Sequence, residues 1–312
     1  WFMCISSFKI SDEAEKVIRE VAPDILVDLA GHTGQTIRLS LFANRPAPVQ
    51  ASWLGYPNTT GMTQIDYRLT DATADPELPE VDAFYSEKLV RLPGCFLCYQ
   101  PPDDAPDVSP LPALKNGYIT FGCFNMLPKL QEGLIKDWSE ILNHVSGSKL
   151  VLKNHFLRDR ATALRLLKKF EKNGVSSDRI KLLPSNTTTR EHLDQYQLVD
   201  VALDTFPYNG TTTTCEALWM GVPVVTLAGR RHASRVGASL MAASNLSELV
   251  AKDKAEYLNI AVQLVQDTTA LLNFRRSIRA QMQDSALLNA NDFSIKIENT
   301  FVGLLRRFHE EK

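Results

Sequence analysis

Between residues 117 and 229 the chain alternates short apolar runs with longer amphipathic ones, and this alternation constrains the fold more than any other feature. The segments read "GYITFGCFN", "LQEGLIKDWSEILNHV", "SKLVLKN", "RATALRLLKKFEKNG", "RIKLLP", "TREHLDQYQL", "VDVALDTF", "TTTCEALWMG" and "PVVTLAG". Continuous apolar runs of strand length are strands buried on both faces, and the 3.6-residue spacing marks helices. Strands separated by single helices predict a parallel sheet wound on both faces. In such a sheet ligands sit beyond the carboxyl ends of the strands.

The first part of the chain reads similarly but less regularly. "SDEAEKVIREV" has a serine start, early acids and helical spacing, which predicts a helix over 11–21. "DILVDLAGHTG" is a buried strand between Pro23 and Gly31, and "QTIRLSLFANRP" a helix stopping before Pro46. "VQASWLGYP", "DYRLTD" and "EKLVRLP" are further short strands. The proline-rich "CYQPPDDAPDVSPLPALKNG" reads as a linker, which divides the chain into a domain of residues 1–106 and one of 107–312. With 312 residues, two cores are expected in any case. From residue 243 the pattern is helical to the end. The opening "WFMCISSFKI" reads as the end of a strand and its loop, so the chain is expected to begin inside a domain.

Charge and cysteines narrow the function classes. With 34 basic and 36 acidic residues the formal charge is -2, which leaves no footprint for nucleic acid. Any phosphate must then be held by a local site. No run of apolar residues reaches the length of a membrane span. The absence of a leader and of disulfide patterning suggests a cytoplasmic protein. Five cysteines (Cys4, Cys95, Cys98, Cys123, Cys215) include one C-x-x-C, with no second pair for zinc, so buried thiols are expected.

The candidate chemistry lies in "LDTFPYNGTTTTCEALWMGVPVVTLAG", residues 203–229. The strand "VDVALDTF" ends at a turn containing Gly210, and a helix then runs to Gly221, with Pro223 beyond it. Thr211, Thr212, Thr213 and Thr214 therefore sit at a helix start, where free amides and the macrodipole attract anions. One threonine would cap a helix; four β-branched residues in a row are better explained by a bound diphosphate. Glu216, one turn in, could accept from ribose hydroxyls. Lys129, past the strand "GYITFGCFN", could extend a cation into the same crevice. His192 could pair with or stack on a base, although lone helical histidines are often structural. His232 and Arg235 follow "PVVTLAG" and suit either an anion or a solvated loop. In the first half Asp28 and His32 flank a strand exit, as candidate base groups or as local structure.

Taken together, "DLAGHTG", "RPAPVQASWLGYPNTTG", "DYRLTD", "YSEKLVRLP", the threonine segment and "RHASRVGASL" resemble protein O-linked N-acetylglucosamine transferases and plant SPINDLY-type protein O-fucosyltransferases. The resemblance runs along nearly the whole chain. It implies a GT-B architecture: two Rossmann-like domains facing a cleft, the first truncated at its N-terminus, and a helical tail. It implies a nucleotide-sugar donor bound by the second domain, UDP-GlcNAc in the leading reading with GDP-fucose as the alternative, inverting transfer to serine or threonine hydroxyls of proteins, no cofactor, and independence from metal; a non-catalytic module that keeps the nucleotide crevice is the third reading. By motif position Lys129 matches the family lysine at the donor phosphates, His192 the histidine near uracil, Thr211 to Thr213 the pyrophosphate helix start, and Glu216 the ribose acid. Upstream tetratricopeptide repeats that recruit protein substrates are implied as well. Two positions depart from animal members: Thr211 replaces a histidine, and Met126 replaces a glutamine.

Overall fold

The computed structural model describes residues 11–33, 39–185 and 188–311. Two compact units divide it, Trp1–Leu97 with Ala290–Lys312, and Cys98–Asn289.

In the first unit, helix α1 (Ser11–Val21) leads to strand β1 (Ile25–Asp28), α2 (Leu39–Ala43), β2 (Val49–Ser52), β3 (Tyr67–Asp71), α3 (Pro79–Asp82) and β4 (Lys88–Leu92). The strands form one parallel sheet in sequential order, β1-β2-β3-β4. Alternate side chains go to opposite faces of a strand. Val49, Ala51, Tyr67 and Leu69 thus pack beneath Ile297 and Leu304 of the chain's last helix, while Leu26 joins Ala14, Ile18, Leu41 and Phe42.

The second unit adds α4 (Pro112–Asn116), β5 (Thr120–Cys123), α5 (Glu132–His144), β6 (Lys149–Lys153), α6 (Arg160–Lys172), β7 (Ile180–Leu183), α7 (Thr189–Asp194), β8 (Val201–Leu203), α8 (Thr212–Trp219), β9 (Val224–Leu227), α9 (Val236–Ala243), β10 (Val250–Ala251), α10 (Lys254–Gln263) and α11 (Thr268–Gln283). The last helix, Ala290–Glu310, is α12. Its six-stranded parallel sheet has the order β10-β9-β8-β5-β6-β7. Counted from β5, this is the doubly wound 3-2-1-4-5-6 order, whose direction reverses between β5 and β8. The core around it joins Phe121, Leu152, Val201 and Leu203 of the sheet to Trp138, Phe170, Tyr257 and Leu271 of the covering helices.

Several features differ from the sequence reading. The units part at Leu97 and Cys98, not at 106/107, and α12 packs on the first sheet. An amphipathic stripe says that a helix is covered, not by which sheet. The region after residue 243 is not all helical: β10 is a two-residue edge strand, too short to show a period. The proline-rich stretch is strapped down. Prolines donate no hydrogen bond, and buried Arg275 and half-buried Arg279 of α11 reach the carbonyls of Ser109 (2.7 Å) and Pro106 (2.7 Å). Burial pulls the Arg275 guanidinium down to about 10, with Asp200 opposing. Cys95, Cys123 and Cys215 are buried and Cys98 is half-buried; burial pushes the Cys123 thiol up to about 12. Cys4 lies outside the described residues.

Candidate functional site

At the point where the second sheet reverses, β5 and β8 are each followed by a buried polar residue, Asn125 and Asp204. The Asn125 amide donates to Asp204 Oδ1 (3.1 Å) and to Thr205 Oγ1 (3.0 Å). Asp204 also accepts from the Gly210 amide (2.7 Å), the Thr205 amide (2.8 Å) and the Thr226 hydroxyl (2.8 Å). Burial raises its carboxyl to about 6, against those bonds and the Lys129 charge. This network holds the turn 204–210 against the sheet. Gly210 is required by close approach: a methyl there would stand 2.7 Å from Thr213 Oγ1 and 2.8 Å from Asn125 Oδ1 and Thr214 Oγ1.

From that turn α8 starts. The amides of Thr214 and Cys215 return to the Thr211 carbonyl (3.1 Å each), so the amides before them have no carbonyl one turn back. The four threonines separate by role. Thr211 is half-buried, at the cap position with no side-chain cap bond; Thr212 is exposed. Thr213 gives its hydroxyl hydrogen to Asn125 Oδ1, and Thr214 is buried. The Thr213 hydroxyl therefore serves the fold's own network, that of Thr214 is out of reach, and those of Thr211 and Thr212 stay accessible. The stop is a Schellman closure: Gly221 has φ 73°, its amide bonds Leu218 O (2.9 Å), and the Val222 amide bonds Ala217 O (2.8 Å).

Lys129 meets the helix start from the β5 side. Its ammonium donates to the Asn209 carbonyl (2.6 Å), two residues before Thr211, and lies 3.8 Å from the Tyr208 ring centroid. Burial lowers its pKa, with Asp204 and Cys123 opposing. Asn209, itself buried, ties the same turn to the loop before α9: its amide donates to Ala233 O (2.8 Å) and its Oδ1 accepts from the Gly237 amide (3.2 Å). That loop carries His232, buried, and Arg235, which donates to Gly229 O (3.0 Å). Arg235 is at least partly engaged in shaping its own loop.

His192 lies on α7, which a capping box opens: the Glu191 amide bonds Thr188 Oγ1 (3.2 Å) and the Thr188 amide bonds Glu191 Oε2 (3.3 Å). His192 Nε2 is 3.0 Å from Glu216 Oε2 of α8, so two of the proposed donor residues are directly paired. Phe124 and Tyr196 flank the imidazole edge-to-face, with centroids 5.9 and 5.8 Å away. His192 Nδ1 is 2.7 Å from the ammonium of Lys153, a buried residue at the end of β6. The sequence reading weighed neither Lys153 nor Asn125 nor Asp204. Each ends or follows a strand in the ligand-facing half of the sheet, which was the available signal.

In the first unit Asp28 ends β1 and is 6% exposed. Its carboxylate accepts from the Gly31 amide (2.7 Å) and the Ala30 amide (3.2 Å), closing the loop after the strand. Burial raises its pKa against those bonds. His32 is exposed and edge-on to Tyr56, at 5.1 Å. Its Nε2 lies 2.9 Å from the Thr60 carbonyl. A carbonyl only accepts, so Nε2 carries the proton and Nδ1 keeps the basic lone pair. Thr60 is held in turn by Glu87, which takes its amide (2.7 Å) and its hydroxyl, and takes the Thr59 hydroxyl (2.7 Å). Burial would raise the Glu87 carboxyl, but these bonds outweigh it and the pKa is lowered. Glu87 thereby joins "PNTTG" to "YSEK". Among the described residues, no three His, Cys, Asp or Glu side chains are grouped to hold a metal ion.

A parallel sheet in doubly wound order, with a cation and an open helix start at its reversal, places this unit in the doubly wound class of α/β proteins, with a site suited to an anion at the switch point. The profile of Glycosyl transferase family 41 matches residues 1–100 and 111–297, and the chain belongs to that family. It is 45% identical over 292 residues, 94% of its length, to the Arabidopsis thaliana protein named probable UDP-N-acetylglucosamine–peptide N-acetylglucosaminyltransferase SPINDLY, and covers 32% of that protein. To the Arabidopsis thaliana protein with the same activity name and the designation SEC it is 32% identical, covering 96% of this chain and 31% of that one. The chain thus spans about a third of the length of these curated relatives. Among solved structures, the K341M mutant of Thermobaculum terrenum O-GlcNAc transferase superposes with a TM-score of 0.89 at 37% identity, over 97% of this chain and 56% of that one. Anabaena Alr3699/HepE, in complex with UDP and glucose, shares the fold at a TM-score of 0.60 and 13% identity, covering 94% of this chain and 81% of that one. The architecture is the GT-B class of two α/β units that the motifs implied.

Proposed function

We propose that this chain is the catalytic region of a metal-independent, inverting glycosyltransferase that moves N-acetylglucosamine from UDP-GlcNAc to serine or threonine hydroxyls of proteins. The observation that carries this reading is the Lys129 ammonium, held on the Asn209 carbonyl at the open start of α8. Departure of a nucleoside diphosphate develops negative charge, and a fixed cation beside free amides and accessible hydroxyls stabilises it without rearrangement. Thr211, Thr212 and Thr213 would receive the diphosphate, His192 and Glu216 the nucleoside, and the loop of His232 and Arg235 would border the phosphates. Burial keeps the ammonium partly dehydrated, which strengthens its field on a phosphate.

The acceptor hydroxyl must lose a proton. In this reading His32 is the base through Nδ1, and Asp28, whose oxygens hold the Ala30 and Gly31 amides, shapes the loop that carries it. Replacing His32 with alanine is then expected to lower kcat by about a hundredfold while nucleotide affinity stays unchanged. Equal activity in that variant would move the base elsewhere. Acceptor proteins would be recruited by helical repeats outside this chain, in a cytoplasmic setting.

A second reading, transfer of fucose from GDP-fucose, is favoured by one observation. The residue at the cap position of α8, Thr211, is a threonine, as in the SPINDLY-type O-fucosyltransferases that the motifs resemble, whereas animal members have histidine there. Calorimetric titration of the full-length protein with UDP and with GDP decides between the two. Tighter UDP binding, followed by transfer of labelled N-acetylglucosamine to a serine peptide, supports the first. Tighter GDP binding rejects it, and binding of neither nucleotide rejects both.

A further inference from the structure

Lys153 is 3% exposed, a depth at which an ammonium ion needs hydrogen-bond partners. Its Nζ lies 2.7 Å from His192 Nδ1, 3.4 Å from the His192 carbonyl and 5.2 Å from the Phe124 ring centroid. An ammonium has three hydrogens and no lone pair, so His192 Nδ1 must accept from it. The ring proton is then on Nε2, 3.0 Å from Glu216 Oε2, and is donated to the carboxylate. The result is a directed chain from β6 through α7 to α8, in which the imidazole is neutral and Glu216 keeps lone pairs for another donor. Without Lys153, both tautomers and both ring flips of His192 become available.

We propose that Lys153 is a positioning residue for the nucleoside end of the site: it sets the tautomer and orientation of His192 and, through it, holds Glu216 as an acceptor for the vicinal hydroxyls of a ribose. The proposal rests on the reading that this site takes a nucleoside diphosphate. Lys153 touches no reacting atom in it, and its effect belongs to nucleoside recognition, not to departure of the phosphate.

The arrangement is sensitive to pH. Burial pulls Lys153 down to about 8, while Glu216 and Glu191 oppose the shift. The groups facing it are His192 and Glu191 from α7, Glu216 from α8, and the Phe124 ring after β5. Below that value the ammonium orients His192 and balances Glu216. Above it the amine is neutral, the direction of the chain is no longer imposed, and uncompensated carboxylates face an anionic ligand.

The test is calorimetry on the full-length protein with UDP, GDP and inorganic pyrophosphate, across roughly two pH units either side of the Lys153 value. Pyrophosphate reports the phosphate end, including titration of Lys129. The preferred nucleotide is expected to lose about tenfold in affinity, beyond any change seen with pyrophosphate, as Lys153 loses its proton. Lys153→Met should bind that nucleotide about tenfold more weakly at neutral pH, show no such alkaline step, raise KM more than it lowers kcat, and bind pyrophosphate as the wild type does. Lys153→Gln, which keeps a donor without titrating, should lose the step and stay within a few-fold of wild type at neutral pH. An alkaline step that persists in either folded variant, or wild-type nucleotide affinity in Lys153→Met, overturns the proposal. The underlying reading fails separately: in that case Lys129→Ala leaves the affinities for nucleotide and pyrophosphate unchanged.

Discussion

In the second unit the strand order reverses between β5 and β8, the polar residues that follow those strands bond one another across the reversal, Asn125 to Asp204, and Thr213 of α8 bonds Asn125. In the first unit the four strands run in sequential order, with no reversal among the described residues. There the buried carboxylates hold loops: Asp28 takes the amides after β1, and Glu87 takes Thr59 and Thr60. The first arrangement ties the start of α8 to both strands at the reversal. The second makes a rigid perch for one imidazole. Under the proposed function, donor binding would belong to one unit and proton removal to the other, and each part can be disturbed separately.

The largest effect should come from Lys129→Ala. Loss of one preorganised charge-stabilising group commonly lowers kcat by about a hundredfold to a thousandfold, so transfer should fall by that factor with an unchanged circular dichroism spectrum. If His32→Ala and Lys129→Ala both weaken nucleotide binding alike, the division of labour is wrong. Gly210→Ala comes next. Its methyl would meet Thr213, Asn125 and Thr214 within 2.8 Å, so we expect about 1–3 kcal/mol lost in urea unfolding and weaker nucleotide binding.

Acid sharpens the contrast. Glu87 has a lowered folded pKa, so its stabilisation is complete above the unfolded value and disappears as pH falls through the folded one. Asp204 has a folded pKa raised to about 6, so the sign reverses. Its ionised form disfavours folding at neutral pH, and between pH 7 and about 4 this residue should add about 2 kcal/mol of stability as it takes up a proton. Urea melts of Asp204→Asn should lack that gain, and melts of Glu87→Gln should lack the acid loss. A gain retained in Asp204→Asn would assign it to another group. The smallest effect belongs to Thr212→Ala, which removes one exposed hydroxyl at the start of α8 and should weaken nucleotide binding by about 1 kcal/mol or less in calorimetry.

Much of the second unit is legible from its residues. Periodicity located β5 to β9 and their helices, and the Gly221 stop of α8 closed as its residue types require. The pairing of His192 with Glu216 was not legible, because it depends on how α7 packs beside α8. The same holds for Lys153. A lysine ending "SKLVLKN" reads as a solvated strand end until the sheet order places His192 over it. Four equal threonines in sequence became four different environments, since a helix turn points consecutive side chains in different directions.

By itself the sequence determined the periods, the helix starts and stops, and the residue types at the strand ends, because these follow from backbone geometry over a few neighbouring positions. Only the tertiary structure decided the strand order, the sheet that α12 covers, and which lysine meets which imidazole. Those depend on contacts between residues far apart in the chain, whose geometry no local pattern encodes.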